Sequence, residues 1–481
     1  MPKRRRSHRK RKTKRIHEVG NAGEGTACSD RISNLPLEII HVILVKIPTR
    51  DMAKTSVLSQ RWRRVWASRP TIYLDELVFG ANYFSYTERD IQKRDAFLTY
   101  LKKSLEIRKE YENNSAVDIL FLQMTVENSS AASLVQKWIY FVLENKAKAL
   151  CLHLKTTYGL PFNLLDIAFF ADTLLWLVIH DCEITNCSFM LPNLEVLFLS
   201  DVCIENDDLV DLIAGCPQIE YLSIDIYPDL ERLSIVVSNP NLKFFTVHRP
   251  GFDSKIQIQS TNLKSLEFSS TCMDMCEIEI TSTTTVRDLT LRNVYYDLER
   301  TSMHFINKFP LLEKLVIDGY SNICEVEITS MPTVRNLTLY NVYDQDTPWM
   351  HFIDKFPLLE KLVIDGCCNL QTLYVSHQHV TSFVAKVYDA VEEIRIDAPK
   401  LKSFEFTGGL TSFTGIKASR ELKFVKLYLK PHKLDARWYT WLRDLLNSFA
   451  HFKHLSLICQ NEQVINPFFP PFSGCKIHHM L

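Results

Sequence analysis

From Val117 almost to the C-terminus one apolar pattern keeps returning: an apolar residue, two variable ones, an apolar residue, one variable, an apolar residue. It stands at Leu174/Leu177/Ile179, Leu194/Leu197/Leu199, Leu263/Leu266/Phe268, Leu312/Leu315/Ile317, Val334/Leu337/Leu339, Leu359/Leu362/Ile364, Leu401/Phe404/Phe406 and Phe452/Leu455/Leu457. The last three positions alternate, as in a strand with one face buried. Successive starts mostly lie roughly 20–29 residues apart, too close for each unit to enclose its own core. Neighbouring units must cover one another, so the pattern predicts a solenoid.

The first of these units extends to Cys182 and Ile184 and matches the leucine-rich repeat, LxxLxLxx(N/C)xL. Spacing predicts what closes each coil. Starts about 25 or more apart enclose helical patterns at Asp207–Ala214, Met303–Phe309, Met350–Phe356 and Trp438–Phe449. Starts about 20–23 apart enclose strand patterns at Leu230–Val236, Lys255–Ile258, Cys276–Ile280, Cys324–Ile328, Leu370–Val375 and Val391–Ile396. The expected fold is α/β, with a parallel concave sheet and a convex side of mixed strands and helices. One two-coil unit is duplicated almost unchanged, from Cys276–Gly319 to Cys324–Gly366. The aromatics Tyr295, Tyr296, Tyr343 and Trp349 follow concave strands and are either candidate recognition residues or packing under a neighbouring loop.

A different block precedes the coils. Leu35-Pro36 opens a stretch in which Ile39, Ile40, Ile43, Leu44 and Ile47 recur at helical spacing, and Pro48-Thr49 ends it. A second short helix is expected from Arg50 to Val57, and a third from Ser59 to Trp66 with Arg61, Trp62, Arg63 and Trp66 on it. Three helices in under about 45 residues leave much of this apolar surface uncovered, so the block needs a partner. The order Leu-Pro-x-Glu-Ile-Ile, Ile-Pro-Thr-Arg-Asp, Thr-Ser-Val-Leu-Ser-x-Arg-Trp-Arg-x-x-Trp resembles the F-box of plant F-box/leucine-rich-repeat proteins over Asp30–Trp66. Leu37 departs from it, because many relatives carry an acidic residue there.

That resemblance implies a small three-helix F-box followed by a leucine-rich-repeat solenoid, and a substrate receptor of a Skp–cullin–F-box ubiquitin ligase. The F-box would dock on a Skp-type adaptor, and through it on cullin, by Leu35, Pro36, Ile39, Ile40, Ile43, Leu44, Ile47, Pro48, Val57, Leu58, Ser59, Arg61, Trp62, Arg63 and Trp66. The repeats would hold a protein target. Along the chain this gives a basic tail and linker at 1–29, the F-box at 30–70, a connecting segment at 71–116, the solenoid with its C-terminal cap at 117–460, and a tail at 461–481.

Charge separates the tail from the body. Lys3, Arg4, Arg5, Arg6, Arg9, Lys10, Arg11, Lys12, Lys14 and Arg15 form a solvated basic run, a nuclear-localisation candidate that could also contact nucleic acid. The rest has 46 basic against 56 acidic residues, so the body carries no general basic footprint for nucleic acid. No apolar h-region follows the run and no long apolar span occurs later, so neither a signal peptide nor a membrane segment is expected. Thirteen cysteines then read as reduced thiols in the nucleus or cytoplasm. His377, His379 and Cys367-Cys368 lack zinc spacing, and no phosphate-binding or nucleophile motif is present. No cofactor, metal or catalytic residue is expected. A repeat scaffold outside ubiquitination and a nucleic-acid binder working through the tail are the alternative readings.

Overall fold

The computed structural model describes residues 35–47, 51, 54–55, 59–80, 87–111, 117–156, 161–164, 169–185, 187–226, 234–249, 254–269, 276–281, 285–292, 303–319, 328–341, 350–367, 372–418, 422–429, 438–440, 442–443 and 454–459. The chain divides into two compact units, Met1–Val65 and Trp66–Leu481.

In the first unit Pro36 precedes the helix Leu37–Val45, where its missing N–H costs no hydrogen bond. Asp51, Lys54 and Thr55 are helical, with Lys54 Nζ 2.6 Å from Asp51; the rest of the expected second helix lies outside the described residues. The third helix is Gln60–Ala67, and the boundary between the units falls within it. Ser59 begins it: its hydroxyl accepts the Trp62 N–H at 3.2 Å.

The second unit is a stack of coils. One face of each coil supplies a strand to a parallel ladder that starts at Thr71–Asp75 and passes through Ile119–Val126, Ala149–Thr156, Trp176–His180, Val196–Ile204, Tyr221–Ile226 and Phe244–His248. It continues through Ser265–Ser269, Asp288–Arg292, Lys314–Asp318, Asn336–Tyr340, Lys361–Cys367, Ser382–Ala398, Ser403–Ala418 and Phe424–Leu429 to His454–Cys459. Leu174, Leu177 and Ile179, like Leu312, Leu315 and Leu337 further on, are buried in one continuous core. Each such side chain contributes about 1.5–3 kcal/mol relative to exposure.

The ladder begins earlier than the spacing predicts. Segment 71–116, expected as a connection, supplies the strand Thr71–Asp75, which pairs from Thr71↔Ile119 to Asp75↔Gln123. Five residues between Pro70 and a short 3-10 turn offer no repeat spacing to recognise. The same segment holds the helix Glu88–Glu110, capped by Thr87, whose Phe97, Leu101 and Leu105 join the core. Buried Arg94 reaches from this helix to Glu76 at 3.1 Å and to Glu127 at 2.7 Å, and Glu76 also accepts the Thr125 N–H at 2.5 Å. In its last turn, Arg108 donates to the carbonyls of Ala67 at 2.8 Å and Arg69 at 3.2 Å. Its guanidinium lies 5.3 Å from the Trp66 ring centre. Burial, then the nearby Arg69 charge, bring the Arg108 pKa down to about 9.

The coils close in the two ways that the spacing predicts. Asn206–Ala214 is an α-helix, Met303–Lys308 a 3-10 turn and Met350–Ile353 a single helical turn. Ser234–Val237, Ser254–Ile258 and Cys276–Ile280 form a separate three-stranded parallel sheet, and Thr372–Ser376 pairs with the far half of Ser382–Ala398. One closing helix, Ser129–Glu144, was not anticipated; the Asn128 side chain caps it by accepting the Ala131 N–H at 3.0 Å. Of the expected strand Cys324–Ile328 only Ile328 is described, and of Trp438–Phe449 only residues 438–440 and 442–443, all helical.

Two side-chain devices repeat from coil to coil. The chain leaves the ladder through a left-handed residue at Asp181, Asp201, Arg249, Asn341 and Gly366, with φ between 48° and 73°. At the other end, Asn193, Asn239, Asn241 and Asn262 donate to backbone carbonyls of the preceding coil at 2.7–3.3 Å. These amides satisfy acceptors that stacking would otherwise leave unpaired.

Candidate functional site

The helix Leu37–Val45 is apolar on opposite faces, and the two faces have different fates. Ile40 and Leu44, one turn apart, are buried. Ile39, Val42 and Ile43 share the other face by their i, i+3, i+4 spacing and are 47%, 61% and 38% exposed. Leu37, also exposed, extends the apolar surface at the start of the helix. Arg61 donates to the Leu35 carbonyl at 3.0 Å, and a His41 ring nitrogen lies 3.2 Å from the Val65 carbonyl. The start of the first helix and the third helix are thereby tied together inside the unit.

Of the predicted docking residues, the structure exposes Pro36, Ile39, Ile43, Ser59 and Arg61, half-buries Leu35, Ile47, Trp62 and Arg63, and buries Ile40, Leu44 and Trp66. Arg69 and Arg108 both lie over the Trp66 ring, their guanidinium carbons 5.7 and 5.3 Å from its centre. Pro48, Val57 and Leu58 lie outside the described residues, as do the basic residues Lys3–Arg15 and the aromatics Tyr295, Tyr296, Tyr343 and Trp349. Val42, 61% exposed on the same face, is not among the residues that the sequence singles out. In LEIIHVILV nearly every position is apolar, so spacing alone cannot choose a face.

The second candidate surface is the open face of the ladder. Side chains there alternate with the buried leucines, and the in-register pairing lines them up in rows across strands. One row runs Ile119, Ala149, Trp176, Val196, Tyr221, Phe244, and the next Tyr73, Phe121, Cys151, Val178, Phe198, Ser223. Tyr73 and Phe121 stack with ring centres 4.5 Å apart, and Tyr221 and Phe244 lie 6.1 Å apart. Beyond Phe244 the face changes character. Arg292 meets Glu267 at 2.9 Å, Lys386 meets Asp365 at 2.9 Å, and Lys426 meets Glu405 at 3.6 Å, all between strands.

At the trailing edge of the apolar half, Asp181 takes His153 at 2.6 Å and Lys155 at 3.6 Å. Its partial burial works to raise the carboxyl's pKa, but the His153 hydrogen bond and the Lys155 charge outweigh this and hold it below the usual range. Arg249 bridges Asp225 at 2.7 Å and Asp201, and these bonds raise its pKa further. His180, 5.3 Å from His153 and 5.4 Å from Phe198 between ring centres, is held below the ordinary imidazole pKa by burial and then by His153.

Among the described residues no cluster of His, Cys, Asp and Glu is placed to hold a metal ion, and no helix is long and apolar enough to cross a membrane. His377 is buried in a turn: one ring nitrogen lies 3.0 Å from the Phe356 carbonyl and the other accepts the His379 N–H at 3.2 Å.

Comparison with known proteins agrees with the two-part layout. The F-box domain model matches residues 32–72, and the model of the At1g61320/AtMIF1 leucine-rich-repeat domain matches residues 111–334. Among curated Arabidopsis thaliana proteins, the F-box/FBD/LRR-repeat protein At5g44980 is 26% identical over 293 residues, 56% of this chain and 64% of that protein. The F-box/LRR-repeat protein At4g14096 is 29% identical over 254 residues, 51% of each chain. The F-box/FBD/LRR-repeat protein At1g78750 is 29% identical over 208 residues, 42% of this chain and 43% of its own length. The chain thus spans between 43% and 64% of the length of these relatives.

Proposed function

We propose that this chain, a member of the plant F-box/leucine-rich-repeat family, is the target-recruiting subunit of a Skp–cullin–F-box ubiquitin ligase. The observation that carries the reading is the bare Ile39/Val42/Ile43 face of the helix Leu37–Val45, inside the stretch that matches the F-box model. A three-residue apolar stripe on an already half-buried helix is the kind of anchor that a hydrophobic interface core requires. Leu35 and Pro36 set where that helix begins, and Arg61, bound to the Leu35 carbonyl, lies at the rim.

In this reading the subunit performs no bond chemistry. It holds a target close to a ubiquitin-conjugating enzyme, and the acceleration comes from effective concentration and orientation of a target lysine. The adaptor side is supplied by the first unit and the target side by the repeats.

The test is capture of a purified Skp-type adaptor by the full chain, beside the Leu35→Ala/Pro36→Ala double variant and Val42→Asp. The parent is expected to retain the adaptor, and both variants to lose it while keeping the circular-dichroism spectrum of the repeats. Adaptor retained by both variants, or by none of the three proteins, overturns the proposal.

A further inference from the structure

We infer that the N-terminal half of the open sheet face is a groove for a cationic peptide segment with aromatic or aliphatic anchors. The inference deepens the reading of the repeats as the target-binding part and rests on it. Trp176 is 53% exposed and Phe244 41%, in a cross-strand row shared with Ile119, Val196 and Tyr221, beside a row that holds Phe121, Val178 and Phe198. Seven successive strands, from Thr71–Asp75 to Phe244–His248, carry this field. At about 4.8 Å per strand the field is about 29 Å across, the length of about eight or nine extended residues. An apolar strip of that extent marks an interaction surface more often than a solvated one.

Charge at its edges selects the occupant. The residues immediately before the strands include Asp118, Glu195 and Glu220 with Lys148 and Lys243, and those at the strand ends include Asp181, Asp201 and Asp225 with Lys155 and Arg249. Six carboxylates therefore face four Lys/Arg. Every one of the four cations already has a carboxylate partner: Lys148 with Asp118 at 2.9 Å, Lys243 with Glu220 at 2.6 Å, Lys155 with Asp181, and Arg249 with Asp201 and Asp225. The surplus is negative, and an incoming chain completes the balance with Lys or Arg beside its apolar anchors. Exposed aromatic faces add cation–π attraction for the same side chains. Beyond Phe244 the described outward positions carry charges paired across strands, at Glu267, Asp365 and Glu405, where the N-terminal strands carry apolar side chains, so among the described residues that half presents no comparable apolar field.

The experiment pans a library of random twelve-residue peptides on the full chain and measures the selected peptide, fluorescein-labelled, by anisotropy on the parent and on Trp176→Ala, Phe244→Ala, Glu195→Lys and Lys361→Glu. The expected peptides combine aromatic or aliphatic residues with Lys or Arg. Their affinity is expected to fall at least tenfold on Trp176→Ala or Phe244→Ala, to fall on Glu195→Lys and at raised salt, and to stay unchanged on Lys361→Glu. Trp176 and Phe244 are half-exposed and lie on different coils, so unaltered thermal midpoints in both variants separate lost binding from lost folding. Selection of acidic peptides, binding indifferent to both aromatic substitutions, or no selected peptide overturns the inference. A concentration-dependent dimer broken by Trp176→Asp also overturns it, by assigning the face to a second copy. Adaptor capture is assayed on the same preparations. Failure there with the peptide result intact rejects the ligase reading alone, and the converse rejects only the groove.

Discussion

Arg94 joins two carboxylates in a place where neither it nor Glu76 meets water. Replacing it by Met leaves Glu76 charged and unpaired, which costs about 3–5 kcal/mol. Urea denaturation of Arg94→Met should show that loss, and the Glu76→Gln/Arg94→Met double variant should recover part of it. His377 makes a complementary case. Its two nitrogens are committed to the Phe356 carbonyl and the His379 N–H, so a second proton has no acceptor there. Burial lowers its pKa against the pull of that carbonyl. The unfolded chain, with an imidazole pKa near about 6.5, therefore binds the proton more readily. The stabilisation from keeping this ring neutral is complete above that value and is lost as the pH falls below it. The difference in thermal midpoint between pH 7.5 and pH 5.5 should shrink in His377→Gln. Spacing in the sequence identified Ile39 and Ile43 but could not separate the two apolar faces of their helix, so Val42 escaped. Nor could it pair Trp66 with Arg108, forty-two residues away.

Coils are the elements here, and their leucines were readable because a parallel strand with one buried face repeats its alternation from coil to coil. The helix Ser129–Glu144 was not readable in the same way: Val135, Ile139, Tyr140, Phe141 and Val142 are residue types that strands also favour. What marks it is the Asn128 cap together with Val135, Trp138, Ile139 and Val142 at i, i+3, i+4 and i+7. Element-level constraints show where substitution is least tolerated. Leu315 is fully buried between strands on both sides, so Leu315→Asp buries an unpaired carboxylate and should open its coil to limited proteolysis. Gly408 has φ 155°, and a Cβ there would run into the Val387 side chain and carbonyl. Gly408→Ala should cost about 1–3 kcal/mol, read as a lowered thermal midpoint, because backbone and neighbour must both yield.

Across the whole molecule the repeats are held by neighbours only, so the ladder has no closure to satisfy and its extent is free. The duplicated unit shows what this permits. Lys314–Asp318 pairs with Asn336–Tyr340 residue for residue, as Ser265–Ser269 pairs with Asp288–Arg292. Excising residues 276–323 removes two ladder strands, with the convex strand Cys276–Ile280, and presents Asn336 to Ser265 in the register that Asp288 held. The shortened chain should fold, keep its adaptor capture and peptide binding, and show in small-angle scattering a long axis reduced by about 10 Å, two strand spacings. The aromatic rows lie entirely upstream of the excision, so the proposed groove and the length of the ladder are set by separate coils. Copying or dropping a pair of coils acts like adding or removing a link, in steps of fixed size.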